Sequence, residues 1–103
     1  MLKLADLDNA ITDETAVVSL MWANNETGVL FPVKEIADLC QSRGALYHCD
    51  AVQAASKVDI NLRNLAINYL SLTGHKFHAP KGIGALYVRR KTPVSPFIHG
   101  GHQ

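Results

Sequence analysis

Ala16-Val17-Val18-Ser19-Leu20-Met21-Trp22, Pro32-Val33-Lys34-Glu35-Ile36-Ala37-Asp38-Leu39-Cys40-Gln41 and Ala45-Leu46-Tyr47-His48-Cys49 are the runs that decide the fold. The first is apolar except for Ser19, the pattern of a strand covered on both faces. Pro32 opens a helix, because its missing N–H would have no partner in a first turn. Val33, Ile36, Ala37 and Cys40 then recur at helical spacing, with Lys34, Glu35, Asp38 and Gln41 on the other side and Gly44 as the stop. The third run reads as a second strand. Strand, helix and strand joined by short connections form a parallel crossover, normally right-handed.

Working outward, residues 5–9 read as the tail of a short helix, and Thr12-Asp13-Glu14-Thr15 resets the chain before the first strand. Asn24-Asn25-Glu26-Thr27-Gly28 is a turn cluster at that strand's end. Asn61-Leu62-Arg63-Asn64-Leu65 reads as a short helical turn, residues 67–72 as a third strand and residues 84–89 as a fourth. Pro93 and Pro96 stop regular structure.

Composition narrows the function classes. The 103 residues suit one core, and with 48% hydrophobic and 18% charged residues the chain is not disordered. A formal net charge of +1 gives no footprint for nucleic acid or an anionic membrane. No apolar run approaches the roughly 18 residues of a membrane span. Cys40 and Cys49 show no CxxC pairing and no disulfide framework, so a reducing, cytoplasmic setting is expected. No repeat or flexible linker divides the chain.

In an open α/β sheet, ligands collect at the carboxyl ends of the strands. Asn25 follows the first strand, Asp50 the second, and Thr73-Gly74-His75-Lys76 the third. A lysine amine forms an imine with an aldehyde cofactor, and a carboxylate against a pyridinium nitrogen keeps that ring able to accept electrons. Pyridoxal phosphate needs both groups, and Thr73, Gly74 and His75 offer donors for its phosphate. Plainer roles stand beside these. Asp50 also suits the N-cap of a helix over residues 51–55, Asn25 and Thr27 suit a turn, and Gln53 suits the surface. His75-x-x-His78 and His99-x-x-His102 lack both helical i, i+4 spacing and a third ligand, so no metal site is expected. Gly82-Ile83-Gly84 lacks the third glycine of a dinucleotide fingerprint and precedes a strand. Lys81, Arg89, Arg90 and Lys91 read as a solvated strand end. If Cys49 and Asp50 share a strand, Cys49 faces away from Asp50, and both cysteines read as core.

Asn24-Asn25-Glu26-Thr27-Gly28, Tyr47-His48-Cys49-Asp50-Ala51-Val52-Gln53, and the run Ser71-Leu72-Thr73-Gly74-His75-Lys76-Phe77-His78-Ala79-Pro80-Lys81-Gly82-Ile83-Gly84-Ala85-Leu86-Tyr87 closely resemble cysteine desulfurases. Met21-Trp22-Ala23 and Phe77-His78-Ala79-Pro80 bring the chain nearest the nitrogen-fixation type. The resemblance implies an α/β fold: part of the large domain of a fold-type-I pyridoxal phosphate enzyme, mostly parallel, with residues 84–89 running the other way. It implies that Lys76 holds the cofactor and moves protons at the substrate's α-carbon, and that Asp50 pairs with the ring nitrogen. It further implies that Asn25 and Gln53 approach the ring's phenolic oxygen, Asn25 also standing near the substrate carboxylate, and that Thr73 and His75 contact the phosphate. The implied reaction takes sulfur from L-cysteine, leaving L-alanine and an enzyme persulfide for iron–sulfur cluster assembly, in a homodimer that passes sulfur to a scaffold protein.

The resemblance covers a middle section of the family's large domain. The family's upstream phosphate loop with its stacking histidine, its downstream carboxylate-gripping arginine and its sulfur-accepting cysteine have no counterpart among residues 1–103. The chain is therefore expected to be a central fragment without desulfurase turnover of its own. Selenocysteine lyase, another class V aminotransferase-like enzyme and a non-catalytic α/β interaction module stay open as alternatives.

Overall fold

The computed structural model describes residues 2–101. Its elements run α1 (Leu4–Ala10), β1 (Val17–Met21), α2 (Val33–Ser42), β2 (Leu46–Asp50), β3 (Tyr69–Thr73), a 3-10 turn (Gly74–Phe77) and β4 (Gly84–Val88). The four strands lie side by side in the order β1-β2-β3-β4. β1 and β3 pair parallel to β2, and β4 pairs antiparallel to β3. Met21 stands beside Asp50, Asp50 beside Ser71, and Thr73 beside Gly84. The α/β class, the β1-α2-β2 crossover and the reversed fourth strand match the sequence reading.

The core lies on one side of this sheet. α2 contributes Val33, Ile36, Ala37 and Cys40, all buried at the positions its periodicity marked. Against them stand Val18, Tyr47, Cys49 and Leu70, the inward alternate of β1, β2 and β3. Gly44 ends the helix region with φ +74, a left-handed conformation that glycine adopts without a Cβ penalty. α1 buries none of its residues. Arg43 ties it to the end of α2, with Nε 3.1 Å from Asp8 Oδ1 and Nη2 donating to the Ile11 carbonyl at 3.0 Å.

The structure corrects several expectations. β1 is covered on one face only: Val18 is buried while Val17 and Met21 are 47% and 39% exposed. The described elements leave that second face open, because the crossover carries α2 to the Tyr47–Cys49 side. Pro32 stands at the N-cap position rather than within the first turn of α2. No helix forms over residues 61–65. The Asn61 side chain accepts the Arg63 N–H at 3.1 Å, a local bond that competes with helix, and one turn closes from Leu65 N–H to the Leu62 carbonyl at 3.3 Å. Residues 51–55 are likewise turns rather than a regular helix. β3 begins at Tyr69 rather than 67 because Asn68 meets Tyr47 with its side chain, Oδ1 accepting the Tyr47 N–H at 2.8 Å. It runs on to Thr73 because Gly84 of β4 pairs with it there.

The segment after β3 folds back tightly around Gly74. Its N–H donates to the Ile83 carbonyl at 2.8 Å, and its carbonyl accepts the Ala79 N–H at 3.1 Å. A Cβ at this position would meet the Ala79 Cβ at 3.0 Å and the Ile83 carbonyl oxygen at 3.3 Å. Gly74→Ala is therefore expected to destabilise the protein by about 1–3 kcal/mol through overpacking, read as a lower urea midpoint at unchanged slope. An unchanged midpoint would mean the loop has another arrangement of similar energy.

Candidate active site

The carboxyl ends of β1, β2 and β3 come to one edge of the sheet, and the polar residues sit there because each lies at or just past a strand's last residue. Asp50 is the final residue of β2, one position further along than the sequence runs imply, and it is exposed. Alternation puts it on the open face with His48, while Tyr47 and Cys49 point into the core. Its Oδ1 accepts the Val52 N–H at 2.9 Å. The capping use of Asp50 is thus real, although what it caps is a turn, and Oδ2 takes no part in that turn.

Asn25, Asp50 and Gln53 share the wall of one cavity of ≈ 190 Å³ with Met21, Ala23 and Val52. An adjoining cavity of ≈ 310 Å³ shares Ala23, Asn25 and Gln53 with it and reaches Lys57. Asn25 is held in place by its neighbour: Asn24 Oδ1 accepts the N–H groups of Glu26 (2.9 Å) and Thr27 (3.0 Å), and an isolated bridge joins Ala23 to Leu30. This loop is the turn the sequence marked, with the cavity on its inner side.

The other predicted residues form a second group at the end of β3. Thr73 lies on the same face as Asp50 and Ser71, and its Oγ1 is 2.9 Å from His75 Nδ1. His75 and Lys76 are exposed on the 3-10 turn. The Lys76 carbonyl accepts the Ser56 hydroxyl at 3.4 Å, which links this turn to the segment that follows Asp50 and Gln53. Thr73, His75 and Lys76 stand outside the wall of the Asp50 cavity. The structure thus brings Asn25, Asp50 and Gln53 together, and sets Thr73, His75 and Lys76 on the adjacent strand end.

Two backbone features at this edge escaped the sequence reading. Ser56 and His78 adopt left-handed conformations with φ 69 and φ 65, which is uncommon outside glycine. Both flank the Lys76 turn, one through its hydroxyl and the other as the turn's C-cap. A third missed feature is a set of side chains below Asp50. Ser19 Oγ lies 2.7 Å from His48 Nδ1, and Ser71 Oγ lies 2.7 Å from His48 Nε2. The signal was present, since Ser19 breaks an apolar strand and His48 precedes Asp50 by the two residues that keep a strand's side chains on one face.

Neither cysteine faces this edge. Burial pushes the Cys49 thiol up to about 11 and raises Cys40 as well, so both stay protonated and unreactive at neutral pH. The Tyr47 hydroxyl, buried near both thiols, has no hydrogen-bond partner among the described residues. Among those residues, too, no three His, Cys, Asp or Glu side chains are grouped to hold a metal ion. His102, named in the second histidine pair, lies outside the described residues. No described helix is long and apolar enough to cross a membrane.

The sequence and the fold are shared with known proteins. The aminotransferase class-V family model matches residues 1–103. The chain is 56% identical over 102 residues to the cysteine desulfurase NifS of Azotobacter vinelandii, covering 99% of this chain and 25% of that protein. It is 58% identical over 94 residues to a cysteine desulfurase of Gluconacetobacter diazotrophicus, covering 91% and 24%. Among solved structures, a NifS-like protein superposes with a TM-score of 0.90 at 40% identity, over 97% of this chain and 28% of that one. The protein SspA, solved in complex with cysteine, gives 0.89 at 37% identity, over 97% and 29%. The chain spans about a quarter of the length of the curated relatives it matches. A family match over all 103 residues and an α/β sheet with its polar groups gathered at one edge make this chain a member of the aminotransferase class-V family.

Proposed function

We propose that these residues are the central part of the pyridoxal phosphate-binding large domain of a cysteine desulfurase. The observation that carries this reading is the gathering of an amide, an acid and a lysine turn at the carboxyl ends of three neighbouring strands. The donor set suits the cofactor. Asp50 supplies a carboxylate with Oδ2 outside its own turn, Asn25 and Gln53 supply amides on the same cavity wall, and Met21, Ala23 and Val52 supply apolar surface for a flat ring. When bound, pyridoxal phosphate supplies an electron sink for the substrate's α-carbon.

In this reading Lys76 holds the cofactor through its amine and moves protons at the substrate's α-carbon. Asp50 faces the ring nitrogen, Asn25 and Gln53 the phenolic oxygen, and Thr73 and His75 the phosphate. The pairing of Thr73 with His75 orients both side chains before any anion arrives. The reaction balances as L-cysteine plus an acceptor thiol giving L-alanine plus a persulfide. The acceptor is not Cys40 or Cys49, which are buried, protonated and on the far face. The persulfide sulfur is destined for an iron–sulfur scaffold protein, the working unit is a homodimer, and the free thiols suit the cytoplasm.

The test is product identity in the full-length holoprotein, of which these residues are the central part. L-Cysteine should yield equal amounts of L-alanine and protein persulfide. Alanine from L-selenocysteine alone would reassign the protein to selenocysteine lyase. Absence of any cofactor-dependent absorption would leave the interaction-module reading.

A further inference from the structure

Three strands are joined by one run of side chains on the open face of the sheet. Ser19 of β1 stands beside His48 of β2 in register, and their side chains meet at 2.7 Å. On the other side His48 Nε2 reaches Ser71 of β3, also at 2.7 Å. Ser71 is not the register partner of His48, however; it is the partner of Asp50. Its backbone is tied there as well, the Ser71 carbonyl accepting the Ala51 N–H at 3.1 Å. The Ser71 hydroxyl thus stands across from the Asp50 carboxylate yet makes its bond diagonally, to the imidazole two residues earlier. The carboxylate meanwhile takes the Val52 N–H.

A neutral imidazole has one nitrogen that donates and one that accepts. The run therefore takes one of two directions, set by the tautomer, and the surroundings of the two serines favour one of them. Ser19 is exposed, so its own proton has water to donate to, and its oxygen is free to accept from Nδ1–H. Ser71 is half-buried, with Nε2 at 2.7 Å and its register partner Asp50 as the candidate acceptors of its proton.

We propose that His48 is a positioning residue of the cofactor site: its Nε2 accepts the single hydroxyl proton of Ser71 and so keeps that donor off Asp50. This rests on the reading of Asp50 as partner of the ring nitrogen. A hydroxyl donated to a carboxylate stabilises its charged form and makes it a weaker base. With Ser71 engaged by the imidazole, Asp50 accepts the Val52 N–H but no hydroxyl from Ser71, and its charge is left to face the pyridinium proton.

The test uses the holoprotein loaded with pyridoxal phosphate labelled with nitrogen-15 in the ring, whose chemical shift reports ring protonation directly. His48→Phe releases the Ser71 proton and is expected to move the shift toward neutral pyridine, a loss of about tenfold in the protonation constant, the size of one hydrogen bond to a charged group. Ser71→Ala alone should leave the shift in place. The double variant should recover it, because the freed donor is gone. A double variant no better than His48→Phe overturns the proposal, since that is the result of a purely structural imidazole. A move toward neutral pyridine in Ser71→Ala alone overturns it without any change at position 48, should His48→Phe fail to fold. A parent holoprotein with a neutral ring nitrogen removes the role of Asp50 and this inference with it.

Discussion

In the full-length holoprotein, Lys76→Ala is expected to abolish the visible absorption that pyridoxal phosphate gives when held on a lysine amine, and to lower turnover by at least about 10³-fold, within the range that a lost proton-transfer group alone accounts for. Lys76 lies on an exposed four-residue turn, and the contact that ties this turn to its neighbours goes to its backbone carbonyl rather than its amine. Removing the side chain beyond Cβ therefore leaves the Ser56 bond and the packing around Gly74 intact. The unfolding free energy from urea titration should change by no more than about 0.5 kcal/mol, the usual range for a surface substitution. Loss of the absorption with an unmoved midpoint separates chemistry from folding. Lys81, also exposed and on the same loop, is the matched control: Lys81→Ala should leave the absorption unchanged. Retention of the band in Lys76→Ala would sink the assignment, because another amine would then be holding the cofactor.

The crossover was legible in the sequence for a simple reason. Val33, Ile36, Ala37 and Cys40 recur with the helical period, and those positions are the ones the sheet buries. The sheet's open face was not legible, because apolar content alone cannot tell a strand covered twice from one covered once; Val17 and Met21 read as core and lie exposed. Strand ends were misjudged by one or two residues where pairing with a neighbour extends a strand, as at Asp50 and Thr73, or where Asn68 replaces a backbone group with its side chain. Of the site, positions after strands placed Asn25 and Asp50 on one edge, the family resemblance added Gln53, and the three line one cavity wall. The left-handed backbone at Ser56 and His78 has no marker in residue type. The diagonal bond from His48 to Ser71 needs the register of β2 and β3, which depends on the long connection over residues 51–68 and not on any local pattern.

Asp50→Asn should separate the two uses of this residue more cleanly than any other substitution. Asparagine keeps an Oδ1 that accepts the Val52 N–H, so the turn after β2 survives and the stability change should stay within about 0.5 kcal/mol. What it loses is the charge. A carboxylate and a pyridinium about 4 Å apart attract by about 4 kcal/mol at an effective dielectric constant near 20, and losing that attraction corresponds to about a thousandfold in rate. The holoprotein should therefore keep cofactor on Lys76, and keep its visible absorption, while turnover of L-cysteine falls by about 10³-fold. Asp50→Ala removes the capping oxygen as well and should add a stability loss of about 1 kcal/mol to the same loss of rate. Asp50→Glu tests position rather than charge. The extra methylene moves the carboxylate away from both Val52 and the point it serves, so stability and turnover should both fall, with turnover above that of Asp50→Asn. If Asp50→Asn instead turned over L-cysteine at the parent rate with its fold intact, the carboxylate would be a turn cap alone, and the ring-nitrogen partner would have to be sought among residues outside this chain.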